Sequence, residues 1–149
     1  MTRGYEVRVV GTPDELEACF AVRNGVFVVE QGVSAAIEYD AHDATAVHVL
    51  AVDAEGPLGT GRLLLPDPAS GEAVGSLGRL AVTPVARGRG VGAALVRAIE
   101  DTARDRGLSA VDLHAQTHAL GFYERLGYEA YGPEFLDADI EHRAMRRAI

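Results

Sequence analysis

The stretch Arg87-Gly88-Arg89-Gly90-Val91-Gly92-Ala93 stands directly before the most regular helical pattern in the chain, and the joint between the two decides the fold. From Gly90 to Arg106, the residues Val91, Ala94, Leu95, Ala98, Ile99 and Ala103 recur on one helix face, with Arg97, Glu100, Asp101 and Arg104 opposite. Gly107 is the expected C-cap. The first N–H groups of a helix have no partner inside it, so glycines there let an anion approach bare backbone donors. The helix dipole adds roughly 0.3–1 kcal/mol, and Arg87 and Arg89 bring charge-assisted bonds. The seven residues Arg87, Gly88, Arg89, Gly90, Val91, Gly92 and Ala93 are thus predicted to hold one diphosphate. A tight strand-to-helix turn is the plainer alternative.

Outward from this joint, Val74 to Thr83 is predicted as a strand ended by Pro84, and Ala110 to His114 as the strand after the helix. A crossover of that length implies that these two strands are parallel. Val47 to Asp53 and Thr60 to Leu65 flank the turn residues Glu55-Gly56-Pro57 and predict a hairpin. Tyr5 to Val10 reads as a strand, and Thr12-Pro13-Asp14-Glu15 as a capping box opening a helix to about Val29, with Cys19 in the core. Gly32 to Ala46 reads as an irregular acidic loop. Thr117 to Leu126 is a short helix, and Glu129 to Gly132 and Ile140 to Arg146 are the last strands. The sum is one domain over residues 1–149: a mixed α/β fold with about seven strands and helices on both faces. No internal repeat or linker divides it.

Composition narrows the chemistry. With 14 basic against 22 acidic side chains the net charge is −8, which argues against nucleic acid as a partner. All 14 basic residues are Arg, so neither a P-loop lysine nor a lysine Schiff base is available. The single Cys19 makes neither a disulfide nor a cysteine metal site. Asp40, Asp43 and His48 match no metal-ligand spacing, so no metal is expected. No apolar run approaches a membrane span, and Met1 to Val10 lacks the features of a secretory leader. A cytoplasmic protein that does not engage a membrane is the expectation. Gly88, Gly90 and Ala93, with Asp112 about twenty residues on, also fit a dinucleotide fingerprint. Against that stand the intervening Thr83 to Arg87 and the short chain that remains.

Three segments together resemble a known family: Leu80-Ala81-Val82-Thr83-Pro84, Arg87-x-x-Gly90-x-Gly92, and Gly121-Phe122-Tyr123-Glu124-Arg125-Leu126-Gly127-Tyr128. They resemble the GNAT superfamily of N-acetyltransferases. Val26 to Gln31, the Gly32 to His48 region and Ile140 to Met145 further resemble a bacterial subgroup of it. The resemblance implies the GNAT fold and transfer of an acetyl group from acetyl-CoA, the cosubstrate, to a primary amine by direct attack in a ternary complex. The CoA would lie between the splayed strands Ser76 to Thr83 and Ala110 to His114. Leu80, Ala81 and Val82 would pair with the pantetheine arm through their main chain, while Arg87 to Ala93 would cradle the pyrophosphate. Gln116 stands where many members carry an Asn that touches the cofactor, and Phe122 would lie against the cofactor beside Tyr123. Tyr123 matches the usual general acid, and a phenol with pKa near about 10 suits a departing thiolate.

The amine must also lose a proton, which costs roughly 4–5 kcal/mol at pH 7 for a pKa of about 10.4. Gly75, Ser76, Gly78 and Arg79 offer no carboxylate on the strand where the family often carries one. Glu30 is the first candidate for the base or for holding the acceptor, followed by His118 and His142; Gln31 and Asp40 complete the expected acceptor site. The acidic segments Glu38 to Asp43 and Glu134 to Glu141 favour a cationic small-molecule amine such as a polyamine or aminosugar, or a protein amine. The missing strand carboxylate leaves one alternative, a non-catalytic acyl-CoA-binding or sensory module. Relatives often pair through exposed strand edges, so a homodimer is the expected assembly.

Overall fold

A computed structural model describes residues 4–149, apart from the side chain of Ile37. Seven strands form one sheet in the order β1-β2-β3-β4-β5-β7-β6. They are β1 (Glu6–Val9), β2 (Val47–Asp53), β3 (Gly56–Leu64), β4 (Val74–Val82), β5 (Ala110–Gln116), β6 (Glu129–Asp137) and β7 (Ile140–Ala148). Neighbours pair antiparallel except β4 and β5, which are parallel across the crossover. A sheet with one parallel pair among its described strands is not the doubly wound sheet of a dinucleotide fold.

Four α-helices cover the sheet: α1 (Pro13–Arg23), α2 (Ala35–Glu38), α3 (Val91–Asp105) and α4 (Leu120–Arg125). Thr12 and Glu15 form the predicted capping box of α1. Along β3, side chains alternate between faces. A Cβ on Gly59 or Gly61 would come within 2.9 Å of Leu95 or Ile99 of α3, so these glycines let α3 lie close on one face. Thr60 and Arg62 point to the other face, beneath α1, where Cys19 is fully buried as expected.

Three departures from the sequence expectations shape the site. Helical structure does run past Arg23, but from Asn24 to Glu30 it widens into π-helix, which apolar spacing does not signal and which often marks functional sites. The acidic loop is ordered by α2 and by a 3-10 turn, Ala41–Ala44, capped by Asp40 and Asp43. Finally, β6 continues through Gly132-Pro133, because a bulge between Tyr131 and Phe135 absorbs the break and pairing with β7 resumes at Phe135↔His142.

Candidate active site

The parallel pair is only half a pair. β4 and β5 are in register from Val74↔Ala110 to Leu77↔Leu113 and then part, although β4 continues to Val82 and β5 to Gln116. Beyond Leu77 the edge of β4 that faces β5 therefore has its peptide groups unclaimed by the sheet. On its other edge a bulge sets Arg79 and Leu80 opposite Gly61, with Arg79 at φ 51°. The fork opens into a cavity of about 900 Å³ lined by Leu80, Ala81 and Val82 among others.

At one end of the cavity is the glycine-rich turn. Gly88 and Gly90 adopt φ of 82° and 79°, a left-handed conformation costly for other residues. Gly90 caps α3 without a side-chain hydrogen bond, so the first N–H groups of α3 keep no side-chain partner where Val91, Gly92 and Ala93 line the cavity. Gly92 lies against Phe122, 3.2 Å from where its own Cβ would stand. Arg87 donates to the Val82 carbonyl and forms a two-point ion pair with Glu30, at 2.8 and 2.7 Å. Arg89 departs from expectation: its guanidinium turns away, over the Tyr5 ring and 3.8 Å from Asp53.

Across the fork, Gln31 and Gln116 exchange hydrogen bonds through their amides, the better one 2.9 Å long. His118 Nε2 contacts Gln116 Oε1 at 2.6 Å, which commits that nitrogen to donating, since an amide oxygen only accepts. Tyr123 lines the cavity from α4, almost wholly buried against Phe122 and Tyr128. Burial pushes its pKa well above the ordinary tyrosine value. Among the described residues no hydrogen bond engages its hydroxyl.

The wall of the cavity opposite the glycine turn corrects the reading of the acidic loop. Arg23, only 1% exposed, donates to both carboxylate oxygens of Glu38 and both of Asp43, at 2.7–3.1 Å. Arg62 makes two bonds to Asp40 and one to Asp43, and Arg79 reaches the Glu38 carbonyl and Asp40. Burial alone would raise the Asp43 carboxyl, but the hydrogen bonds from Arg23 and Arg62 hold it at about 2. Three carboxylates thus face three guanidiniums, and Asp40, expected to receive the acceptor, is spent on the fold. Glu30 is likewise engaged: the hydrogen bonds from Arg87 keep its carboxyl below the usual range, which suits a partner of the loop better than a proton acceptor.

His142 is different. It is buried on β7, stacked on Phe135 with ring centres 5.9 Å apart, and its Nδ1 lies 2.7 Å from the Ile140 carbonyl. A carbonyl accepts only, so Nδ1 is the donor, and Nε2 is the nitrogen that can offer a lone pair. The side chain lines the cavity.

Sequence reasoning passed over Arg23, Arg62 and Arg79 as members of the site, and took Asp137 only as one of the acidic residues of Glu134 to Glu141. The signal for Arg62 and Arg79 was a charge inside an otherwise apolar strand, where a paired ion is the usual explanation. Nothing in the sequence singled Asp137 out of its acidic segment, because which of those carboxylates lines the cavity depends on the bulge in β6.

A forked parallel pair with a helix N-terminus at its mouth is the architecture of an acyl-CoA N-acyltransferase fold, and the comparisons agree. The model of the Acetyltransferase (GNAT) family matches residues 14–128. The Bacillus subtilis protein described as uncharacterized N-acetyltransferase YjcF is 38% identical over 135 residues, 90% of this chain and 93% of its own. An acyl-CoA N-acyltransferase from Pseudomonas aeruginosa superimposes with a TM-score of 0.81 at 33% identity, over 97% of this chain and 98% of that one. Escherichia coli ElaA gives 0.83 at 25% identity, over 96% and 99%. The chain belongs to the GNAT acetyltransferase family and is an acyltransferase. Among the described residues no helix is long and apolar enough to cross a membrane.

Proposed function

We propose that the protein transfers the acetyl group of acetyl-CoA to a primary amine, both bound at once in the fork between β4 and β5. The observation that carries this reading is one cavity joining the uncapped start of α3 to the unpartnered hydroxyl of Tyr123. The fork fits the cosubstrate: bare N–H groups of Val91, Gly92 and Ala93 suit a pyrophosphate, the free edge of β4 at Leu80 to Val82 suits the amides of pantetheine, and Phe122 walls the passage between. Arg87 remains at the loop with Glu30 as its counter-ion, Arg89 contributes its main chain only, and Gln116, held by Gln31 and His118, marks the far strand of the fork.

The amine nitrogen bonds to the acyl carbon as the carbon–sulfur bond breaks. The acceptor arrives as an ammonium and loses two protons, one before attack and one as the amide forms; His142 Nε2 takes each in turn and passes it to solvent, from which one returns to Tyr123. Tyr123 donates to the departing sulfur and is then reprotonated; its raised pKa keeps it in the acid form until that moment. The products are an N-acetyl amine and the free thiol of CoA.

The test is thiol release from acetyl-CoA with a panel of primary amines. Tyr123→Phe is expected to lower the rate by about 10²-fold, the lower range for a positioned acid, while stabilisation by CoA persists. Full activity in that variant removes Tyr123 from the chemistry. Release from no amine by a protein that CoA still stabilises overturns catalysis itself.

A further inference from the structure

The acceptor end of the cavity holds many charged residues but very little net charge. Glu38, Arg62 and Arg79 line it, and each is bound into the network of three guanidiniums and three carboxylates. Asp112 also lines it, and is paired with Arg146 at 3.1 Å and hydrogen-bonded by the Tyr131 hydroxyl. The remaining charge on that wall is Asp137, exposed at the tip of the β6–β7 hairpin, which forms no ion pair with a described residue. Pairing of Asp137 with Ile140 and of Phe135 with His142 puts all four side chains on one sheet face. His142 in turn pairs with Gln116 of β5, so a single face runs from the fork to Asp137. Val33, Leu64 and Ile140 add apolar surface to the lining.

Building on the acyl-transfer reading above, we propose that the acceptor is a primary amine with no second ionised group, an apolar body whose single ammonium is drawn in by Asp137 and deprotonated at His142. A second ammonium would need a carboxylate taken from a buried guanidinium, at the cost of a broken ion pair. A carboxylate on the acceptor would need a guanidinium from the same network and would meet Asp137 besides. This replaces the polyamine suggested by the acidic loop: of the two acidic segments, one is consumed inside the fold and the other contributes one charge.

Three matched probes test it: hexylamine, 1,6-diaminohexane and 6-aminohexanoate, which share a six-carbon chain and differ in the charge at its far end. In the thiol-release assay kcat/KM for hexylamine is expected to exceed that of either other probe by at least about tenfold, or roughly 1.4 kcal/mol. Asp137→Asn should weaken hexylamine through KM rather than kcat, and narrow its lead over 6-aminohexanoate. A diamine or amino acid equal to or better than hexylamine overturns the assignment and leaves acyl transfer intact. Silence from all three also overturns it; acyl transfer falls with it only when the broader panel of amines is silent as well. An unchanged KM in Asp137→Asn removes that residue from recognition.

Discussion

The two ends of the fork are built in opposite ways. The donor end is backbone: unclaimed peptide groups of β4, glycines at φ near 80° and the start of α3, all within Gly78 to Ala93. The acceptor end is side chain, assembled from α1, α2, the π-helical segment, β3, β4, β6 and β7. A surface of backbone donors reads any molecule carrying the same handle, whereas a surface of paired charges is shaped by which charges remain unpaired. One fold can thus keep one donor while its acceptor changes with a few side chains.

The same contrast sets the predictions, from the largest effect down. If the arginine network is structure rather than acceptor site, Arg23→Met should destabilise the protein by about 3–5 kcal/mol, because buried Glu38 loses its two-point partner and keeps only the longer 3.4 Å contact to Arg79, while Asp43 loses one of its two guanidiniums. The unfolding midpoint would fall by roughly 10 °C, with the acceptor KM little changed. A normal midpoint and an altered KM would instead return the network to substrate binding. A smaller effect follows from acid. Asp43 titrates near 2 in the folded chain, below its ordinary 3.8, so its contribution is complete above about pH 4 and disappears as pH falls towards 2. That contribution is on the order of 2 kcal/mol, and urea unfolding followed through this window should show it. A flat response would mean that Asp43 gains nothing from its two arginines.

Legibility in the sequence followed the same division. The succession of strands and helices along the chain, the α3 stripe and the glycine turn could be read because their residues are adjacent and their spacing is periodic. Tyr123 was legible through the short Gly121 to Tyr128 motif, and lies in the fork. The acceptor site was not, since its members meet across long sequence separations: Gln31 with Gln116, Glu30 with Arg87, Arg62 with Asp40. Asp40 and Asp43 looked like an acidic surface because their arginine partners lie on other elements. His142 could be nominated but not set apart from His118 in the sequence; in the folded chain His142 is buried and stacked on Phe135, whereas His118 is exposed and bonded to Gln116.

The central claim is that the fork between β4 and β5 is an acyl-CoA site. Thermal unfolding with acetyl-CoA, CoA or NAD at about 100 times a dissociation constant tests it most directly, since such a ligand adds roughly 2.7 kcal/mol of stability. The account predicts a rise of several degrees with acetyl-CoA and with CoA and none with NAD. A rise with NAD alone, or with none of the three, would contradict it and leave Arg87 to Ala93 as a tight turn.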